Sequence, residues 1–299
     1  MFSNISSINF NTNQPISSSA TSATSSENIS IFGNDLIKDK EDKPKLTKEE
    51  KQALKEQAKA ERQRIRTTPD GIIQGGKQGS SAGDCWLLAQ MNSMAKTDWG
   101  KDALKNAITQ DKDGNFTVHF KGVNKDITIS AKEFKKAQNN STYSSGDADA
   151  LLLEVATEKY FEETNLNSGT INGNDLAGKD SLQYLLTGTK GHQTNSEDDY
   201  KSILLTMGKY PEDNAGFATT YIYTDNTGAT PTDHAVSVQQ VILNEKGDDI
   251  KEVVLLDSYR PDTPFKKSYG QFVRDLQAIG ITKVTNKSNE LGNVGQKSE

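Results

Sequence analysis

The chain contains one cysteine, Cys85, which lies between a loop rich in glycine and serine and an abruptly apolar run. In the segment GDCWLLAQM, apolar residues recur from Cys85 at helical spacing, and Asp84 is the predicted N-cap. The N–H groups and the positive dipole end of a helix N-terminus favour a thiolate, the reactive form of cysteine. A lone cysteine is often only a small buried hydrophobic residue, but this setting favours a nucleophile.

A thiolate nucleophile needs a histidine that holds its proton and later protonates the leaving group. The sequence has 3 histidines. His119 lies on the polar face of a predicted strand, His192 lies in a loop-like stretch, and His234 begins a strand-like run. The separation between Cys85 and His234 falls within the range of about 130–150 residues seen in papain-type enzymes. We therefore predict that His234 is the general base and acid.

A carboxylate is predicted to lie beside this histidine. Asp257 ends the β-rich run 250–257, and the run 234–243 precedes it, with a turn signal at 244–249. If the two runs form a hairpin, their outer ends become neighbours. We therefore predict that Asp257 orients the ring of His234.

An oxyanion donor is predicted upstream of the cysteine. Gln78 stands at the start of the Gly/Ser-rich segment that leads to Cys85. A glutamine amide can donate to a developing oxyanion, together with the backbone N–H of the nucleophile. We therefore predict Gln78 as the second oxyanion donor.

The elements that must position these residues change in type along the chain. The predicted helices cover 46–66, the segment from Cys85, 147–163, 181–186 and the segment from Ser268 to Gly280. The first helix begins with a capping box at Thr47 and Glu50. The last begins with a capping box at Ser268 and Gln271 and is predicted to stop at Gly280. The predicted strands cover 116–120, 127–129, 217–223, 234–243 and 250–257. Helices first and strands later predict an α+β fold with two lobes, a helical lobe that carries Cys85 and a β-rich antiparallel lobe that carries His234 and Asp257.

Composition predicts four regions. Residues 1–45 are rich in Ser, Asn and Thr and are expected to be disordered. Residues 46–69 are a charged helix and linker, interpreted as a solvated spacer, with a pro-segment or docking helix over a neighbouring site as the alternative. Residues 70–285 form the predicted catalytic domain, and 286–299 a flexible tail.

The overall composition excludes several classes of protein. A single cysteine excludes an internal disulfide and a zinc site built on several thiolates. The net charge is −6 and basic residues are mixed with acidic ones, so no nucleic-acid partner is expected. We find no apolar run of membrane-spanning length and no ordinary secretory signal in MFSNISSINFNTNQP. We therefore expect no membrane partner, and a protein that is cytoplasmic or exported without an ordinary signal peptide.

The cysteine segment resembles the active-site segment of calpain-type cysteine proteases. In GDCWLLAQMNSM, as in that family, Gly-Asp-Cys-Trp follows a glutamine and a short glycine-containing loop and opens an apolar helix. Similar segments follow in the family's order: LLLEVATEKYFEE, DSLQYLLTG, HAVSV, VVLLDSY and SYGQFVRDL. The likeness covers about 70–285. It implies a single-domain relative of bacterial style, with a papain-like two-lobed fold, that hydrolyses peptide bonds of protein or peptide substrates through a Cys85 thioester.

The resemblance also implies roles for individual residues. They are Cys85 as nucleophile, His234 as general base and acid, Gln78 as oxyanion donor and Asp257 at the orienting position. The family has asparagine where this chain has Asp257, and tryptophan where this chain has Tyr259. The segment from Gln78 to the cysteine is one residue longer than in the family, so the loop bulges or Gln74 takes the donor's place.

No cofactor is expected for the chemistry, and calcium enters only through the resemblance. Animal calpains use calcium to bring their two catalytic lobes into register. The segment DKDGNFTVHFKG at 111–122 fails the EF-hand pattern, because Phe116 stands in place of the required glycine and Gly122 in place of the bidentate glutamate. It is predicted to be a hairpin turn.

Two other functions fit part of this pattern. A transglutaminase-type acyltransferase also sets a cysteine before tryptophan at a helix start and uses His and Asp on strands, although its histidine follows the cysteine much more closely. A non-catalytic binding scaffold on a protease-like fold, attached through the N-terminus, is the other alternative. The presence of Cys85, His234 and a suitable third residue favours a cysteine endopeptidase.

Overall fold

A computed structural model describes residues 47–74, 76–79, 83–173, 181–220 and 234–283, which all belong to the unit Pro44–Glu299. The helices are α1 (Lys48–Thr67), α2 (Cys85–Met94), α3 (Asp98–Lys105), α4 (Ala131–Gln138), α5 (Ala148–Thr164), α6 (Leu182–Thr187), α7 (Glu197–Lys209) and α8 (Tyr269–Asp275). The strands are β1 (Ile108–Gln110), β2 (Phe116–Phe120), β3 (Lys125–Ile129), β4 (His192–Thr194), β5 (Asn214–Thr220), β6 (His234–Leu243), β7 (Ile250–Leu256), β8 (Phe265–Ser268) and β9 (Leu276–Lys283). The predictions for 1–45 and 286–299 lie outside the described residues.

Helix α1 begins with the predicted capping box. The Thr47 hydroxyl accepts from the Glu50 N–H at 3.1 Å, and the Glu50 carboxylate accepts from the Thr47 N–H at 2.7 Å. No residue of α1 is buried, as expected for a helix with a thin apolar stripe. At its C-terminal end, the Gln138 amide donates to the carbonyl of Arg66 at 2.9 Å. The described contacts therefore suit a solvated spacer helix, and the docking role stays a prediction.

The helical lobe surrounds α2 and α5. Every residue of α2 after Cys85 is buried, and most of α5 is buried as well. The Trp86 ring stacks on Phe161 with centroids 6.1 Å apart, and its indole N–H donates to the carbonyl of Ile171 at 2.7 Å. A three-stranded antiparallel sheet, β1-β2-β3, closes the side of this lobe. The predicted hairpin is confirmed, although β3 begins two residues before the predicted 127, and the predicted helix 147–163 is confirmed within one residue as α5.

The β-rich lobe is a six-stranded antiparallel sheet in the order β4-β9-β5-β6-β7-β8. A second apolar cluster fills it, formed by α7 and α8 against the sheet. Strand β6 has the predicted bounds, and β7 ends one residue before the predicted Asp257. The coarse prediction of an α+β fold with helices and antiparallel sheets is therefore confirmed.

The prediction of one helix from Ser268 to Gly280 is wrong. The capping box is present, but α8 ends at Asp275 and the chain continues as β9, which pairs with β5 and β4. Gly280 stands opposite Phe217, and a Cβ at this glycine would lie 2.0 Å from the Phe217 ring. Gly280 therefore serves close packing inside the sheet, and pairing on both sides outweighs the helical spacing of the segment.

Helix α2 joins the two lobes. It packs against β6 and β5, and Ala215, Phe217 and Ala235 of these strands belong to the apolar cluster of the helical lobe. The N-terminus of α2 therefore lies near the start of β6. This arrangement brings Cys85 and His234, which are distant in the sequence, to one place. Among the described helices, none combines the length and the apolar character that crossing a bilayer requires.

Candidate active site at the junction of the two lobes

Cys85 is the first residue of α2 and is half-buried. Its Sγ accepts a hydrogen bond from the backbone N–H of Ala235 at 3.4 Å. A donor aimed at the sulfur, together with the positive end of a helix that begins at the same residue, favours a thiolate. The sulfur therefore lies against the first residues of β6.

His234 is buried between Cys85 and Asp257. Its Nε2 lies 2.8 Å from Oδ1 of Asp257, and the Tyr259 ring stacks on the imidazole with centroids 5.1 Å apart. Burial opposes the charged form, but hydrogen bonds to Asp257 and Cys85, and the negative charges of these two groups, outweigh it and raise the pKa of His234 to about 9. The ring is therefore an imidazolium at neutral pH.

The hairpin of β6 and β7 explains why these groups meet. Ser237 pairs with Leu256, so continuing the register brings His234 level with Tyr259, just past the end of β7. The backbone N–H of Tyr259 donates to Oδ1 of Asp257 at 2.9 Å, which holds the carboxylate toward the ring. The predicted neighbours at the open end of the hairpin are thus brought together.

Gln78 lies in the same site, joined to the residue after Asp257. Its backbone N–H donates to the carbonyl of Ser258 at 2.9 Å, and the Ser258 hydroxyl donates to its Oε1 at 2.8 Å. A hydroxyl that donates to the amide oxygen fixes which end of the amide faces Ser258. Gln74, the alternative donor, has its backbone N–H bound to Oδ2 of Asp147 at 2.5 Å. The predicted bulge belongs to the loop 79–84, of which residues 80–82 lie outside the described residues.

The other two histidines lie elsewhere. The ring of His119 bonds to Oδ1 of Asp126 at 2.8 Å and to Oγ1 of Thr109 at 2.9 Å, on the face of the small sheet. His192 is exposed at the start of β4. Of the three candidates, His234 is the one that the structure brings to Cys85.

Asp84 is the N-cap residue of α2, as predicted, but its side chain does not cap the helix. Asp84 does precede α2, but its side chain makes no capping hydrogen bond and is fully buried. Its φ of −105° and ψ of 17° differ from the extended backbone that N-cap residues usually adopt. The carboxylate instead faces Glu154 of α5, which sequence reasoning did not identify as part of the site. A single acid inside the apolar run LLLEVA was the available signal.

The described residues hold no group of three or more His, Cys, Asp or Glu side chains placed to bind a metal ion. The turn between β1 and β2 covers 111–115, and the rest of the segment is strand β2 and the residues after it. In this turn Oδ1 of Asp111 accepts from the N–H groups of Asp113 and Asn115 at 2.8 and 2.9 Å. The Asp111 carboxylate thus stabilises a turn. A role for calcium stays a prediction from the resemblance.

Comparison with known proteins gives no family for this chain, since no family model and no curated protein matches it. The chemistry must therefore be read from the site. A thiol at a helix N-terminus, an imidazolium beside it and a carboxylate behind the ring can together generate a nucleophile and a proton donor at neutral pH.

Proposed function

We propose that this chain is a calpain-like cysteine endopeptidase that cleaves peptide bonds in protein or peptide substrates. One observation carries the proposal: the sole cysteine begins a helix against the strand of a buried histidine, whose far ring nitrogen bonds a buried aspartate at 2.8 Å. An imidazole held between a thiol and a carboxylate is the usual way in which enzymes activate a cysteine for acyl transfer.

The first chemical step is attack of the Cys85 thiolate on the scissile carbonyl carbon. Since Nε2 of His234 is bonded to Asp257, Nδ1 is the ring nitrogen that pairs with the sulfur. The backbone N–H of Cys85 and the amide of Gln78 stabilise the oxyanion of the tetrahedral intermediate. Protonated His234 then gives its proton to the leaving amine, and the C–N bond breaks to leave a thioester.

Deacylation returns the enzyme to its starting state. Neutral His234 takes a proton from water, the resulting hydroxide attacks the thioester carbonyl, and the sulfur leaves as a thiolate. Asp257 keeps Nε2–H pointed at its carboxylate and stabilises the imidazolium on each side of this cycle. No cofactor takes part in any of these steps.

A papain-like fold is part of the proposal. It is supported by the two lobes, by the position of Cys85 on the central helix α2, and by the position of His234 and Asp257 at the end of an antiparallel hairpin. The open end of this hairpin and the N-terminus of α2 would then form the floor of the substrate cleft between the lobes.

A transglutaminase-type acyltransferase is the second candidate, because the third residue is an aspartate. The two reactions share the thioester and differ in what attacks it: water in a protease, a primary amine in a transferase. The product therefore separates them. Incorporation of a labelled amine into glutamine side chains would favour the transferase, and new peptide termini favour the protease.

The test is mass spectrometry of peptides released from a mixed proteome by the wild-type chain and by Cys85→Ala. We expect the wild type, and not Cys85→Ala, to produce new peptide termini in the presence of a chelator. Added calcium should not lower the amount of released peptide. His119→Ala, which changes a histidine outside the site, should release the same peptides as the wild type. Equal release by wild type and Cys85→Ala would refute the proposal, and alkylation of Cys85 no faster than a model thiol would favour a binding scaffold.

A further inference from the structure

Two carboxyl groups are buried directly behind the nucleophile. Asp84 immediately precedes Cys85, Glu154 lies on the face of α5 that packs against α2, and both residues are 0% exposed. Neither belongs to the chemistry proposed above. Burial of two acidic groups side by side demands a compensating partner for each charge.

The hydrogen bonds of the pair are incomplete without a proton. In the described part of the chain, neither oxygen of Asp84 nor Oε1 of Glu154 has a donor, whereas Oε2 of Glu154 accepts from the Ser144 N–H at 2.7 Å. Two carboxylates cannot satisfy one another, because both only accept. One proton on Oε1 of Glu154 accounts for two of these three oxygens, since the O–H then donates to one oxygen of Asp84.

The surroundings decide which group keeps the proton. Burial, and then the charge of Asp84, raise the pKa of Glu154 well above its usual value. Burial also raises the pKa of Asp84, but by less, because a bond to Glu154, the nearby Gln78 side chain and the positive charge of His234 partly offset it. Glu154 is therefore the acid of the pair and Asp84 the anion.

We propose that Asp84 and Glu154 are a proton-sharing positioning pair, in which protonated Glu154 keeps Asp84 negatively charged so that Asp84 stabilises the imidazolium of His234. This role rests on the proposed function, because it concerns the same Cys85–His234 ion pair. Asp84 acts through the histidine and touches no reacting atom.

Other ionisable groups also face the pair and His234. They are Cys85 on α2, Asp257 and Tyr259 after β7, and, on the side of Glu154, Tyr143, whose hydroxyl donates to Glu158. Each proposed variant leaves all of these groups in place. A change in titration can then be assigned to the pair.

The first variant removes the charge of Asp84 with little change in shape. Alkylation of Cys85 is measured from pH 4 to 11, because this protein has a single thiol and the rate reports the thiolate. A nearby negative charge favours imidazolium and disfavours thiolate, so its removal lowers both pKa values of the ion pair. Asp84→Asn should therefore move both edges of the rate profile by about one pH unit toward acid.

Two variants of Glu154 give opposite expectations. In Glu154→Gln the amide N–H still donates to Asp84, so the anion persists and the profile should coincide with that of the wild type. In Glu154→Leu the donor is lost, Asp84 takes up the proton itself, and the profile should move as in Asp84→Asn. Adding Asp84→Asn to Glu154→Leu should then move it no further.

A merely structural role predicts a different pattern. If the pair is only structural, the variants should have lower melting temperatures and an unchanged pH profile of alkylation. That result would overturn the proposal. If Glu154→Leu does not fold, the contrast between Asp84→Asn and Glu154→Gln decides alone. Equal shifts in both of these variants would also overturn it, because Glu154→Gln retains the donor.

Infrared spectroscopy tests the shared proton without any reference to the thiol. The wild type should show the carbonyl band of a protonated carboxylic acid at pH 8, lost in Glu154→Gln and kept in Asp147→Asn. Burial raises the pKa of Asp147 to about 7, so this control acid is mostly ionised at that pH. Absence of the band from the wild type would overturn the inference. If the band and the profile shifts are found but no peptides are released, the pair stands and the proposed peptidase function fails.

Discussion

Among the described residues, two histidine–aspartate pairs have the same distance between a ring nitrogen and Oδ1 of the aspartate, but very different surroundings. His119 and Asp126 lie 2.8 Å apart with side chains 28% and 65% exposed. His234 and Asp257 also lie 2.8 Å apart, but both side chains are 5% exposed. The second ring nitrogen of His119 meets a threonine hydroxyl, whereas His234 bonds to Cys85.

This comparison separates a surface contact from a reactive site. Water screens the first pair, and exposed pairs of this kind contribute little to stability or chemistry. At the second pair the low local dielectric strengthens the interaction, and a thiol supplies a group that the imidazolium can hold as an anion. Burial and the third partner, and not the His–Asp contact itself, therefore make the site at His234 a candidate for catalysis.

The largest expected effect comes from removing each histidine in turn. His234→Ala should lower kcat/KM for a cleaved peptide by about 10²–10⁴-fold, because proton transfer to and from the reacting groups is lost. His119→Ala should leave kcat/KM unchanged. Steady-state kinetics on one peptide measure both. Equal losses in the two variants would mean that the comparison has no catalytic meaning.

Removing each aspartate should give a smaller contrast. Asp257→Ala should lower kcat/KM by about 10²-fold, the low end of what proton transfer contributes, since the ring loses its orientation and its countercharge. Asp126→Ala should have no effect. In Asp257→Asn an oxygen can still accept from Nε2–H, but the negative charge that favours imidazolium is gone. The alkaline edge of its pH–rate profile should therefore fall below the wild-type edge at about 9. An unmoved edge would contradict this role for the carboxylate.

The part of the site that depends on β pairing could be predicted from the sequence. The runs 234–243 and 250–257 alternate and are separated by turn residues, so their hairpin follows from local signals. Because hairpin register is fixed near the turn, the meeting of His234 with the residues after β7 follows as well. The buried helix after Cys85 was equally clear from its spacing.

Features that depend on tertiary partners could not be predicted. The segment Leu276–Gly280 has helical spacing, yet it becomes a strand because β5 and β4 pair with both of its edges. Glu154 has the pattern of a helix residue, and only the packing of α5 against α2 brings it to Asp84. Such contacts join distant parts of the chain and leave no local pattern.

Loss of the aromatic ring that covers the His234–Asp257 pair should have the smallest effect on kcat/KM. Tyr259 stacks on the ring of His234, and no ring stacks on His119 among the described contacts. Tyr259→Ala should lower kcat/KM by about tenfold by admitting water to the His–Asp bond, whereas Tyr259→Phe keeps the ring and should retain full activity. Retained activity in Tyr259→Ala would show that shielding is unnecessary, and loss in Tyr259→Phe would point to the hydroxyl.

The most direct test of the account is an NMR titration of the imidazole C–H resonances, which is simple to assign because the chain has 3 histidines. We predict that His234 stays protonated until about pH 9, because the bonds and charges of Asp257 and Cys85 outweigh its burial. In Cys85→Ala the midpoint should fall, since one of the two stabilising partners is gone. A wild-type midpoint near the unperturbed value of about 6.5, unchanged in Cys85→Ala, would contradict the ion pair on which the proposed chemistry depends.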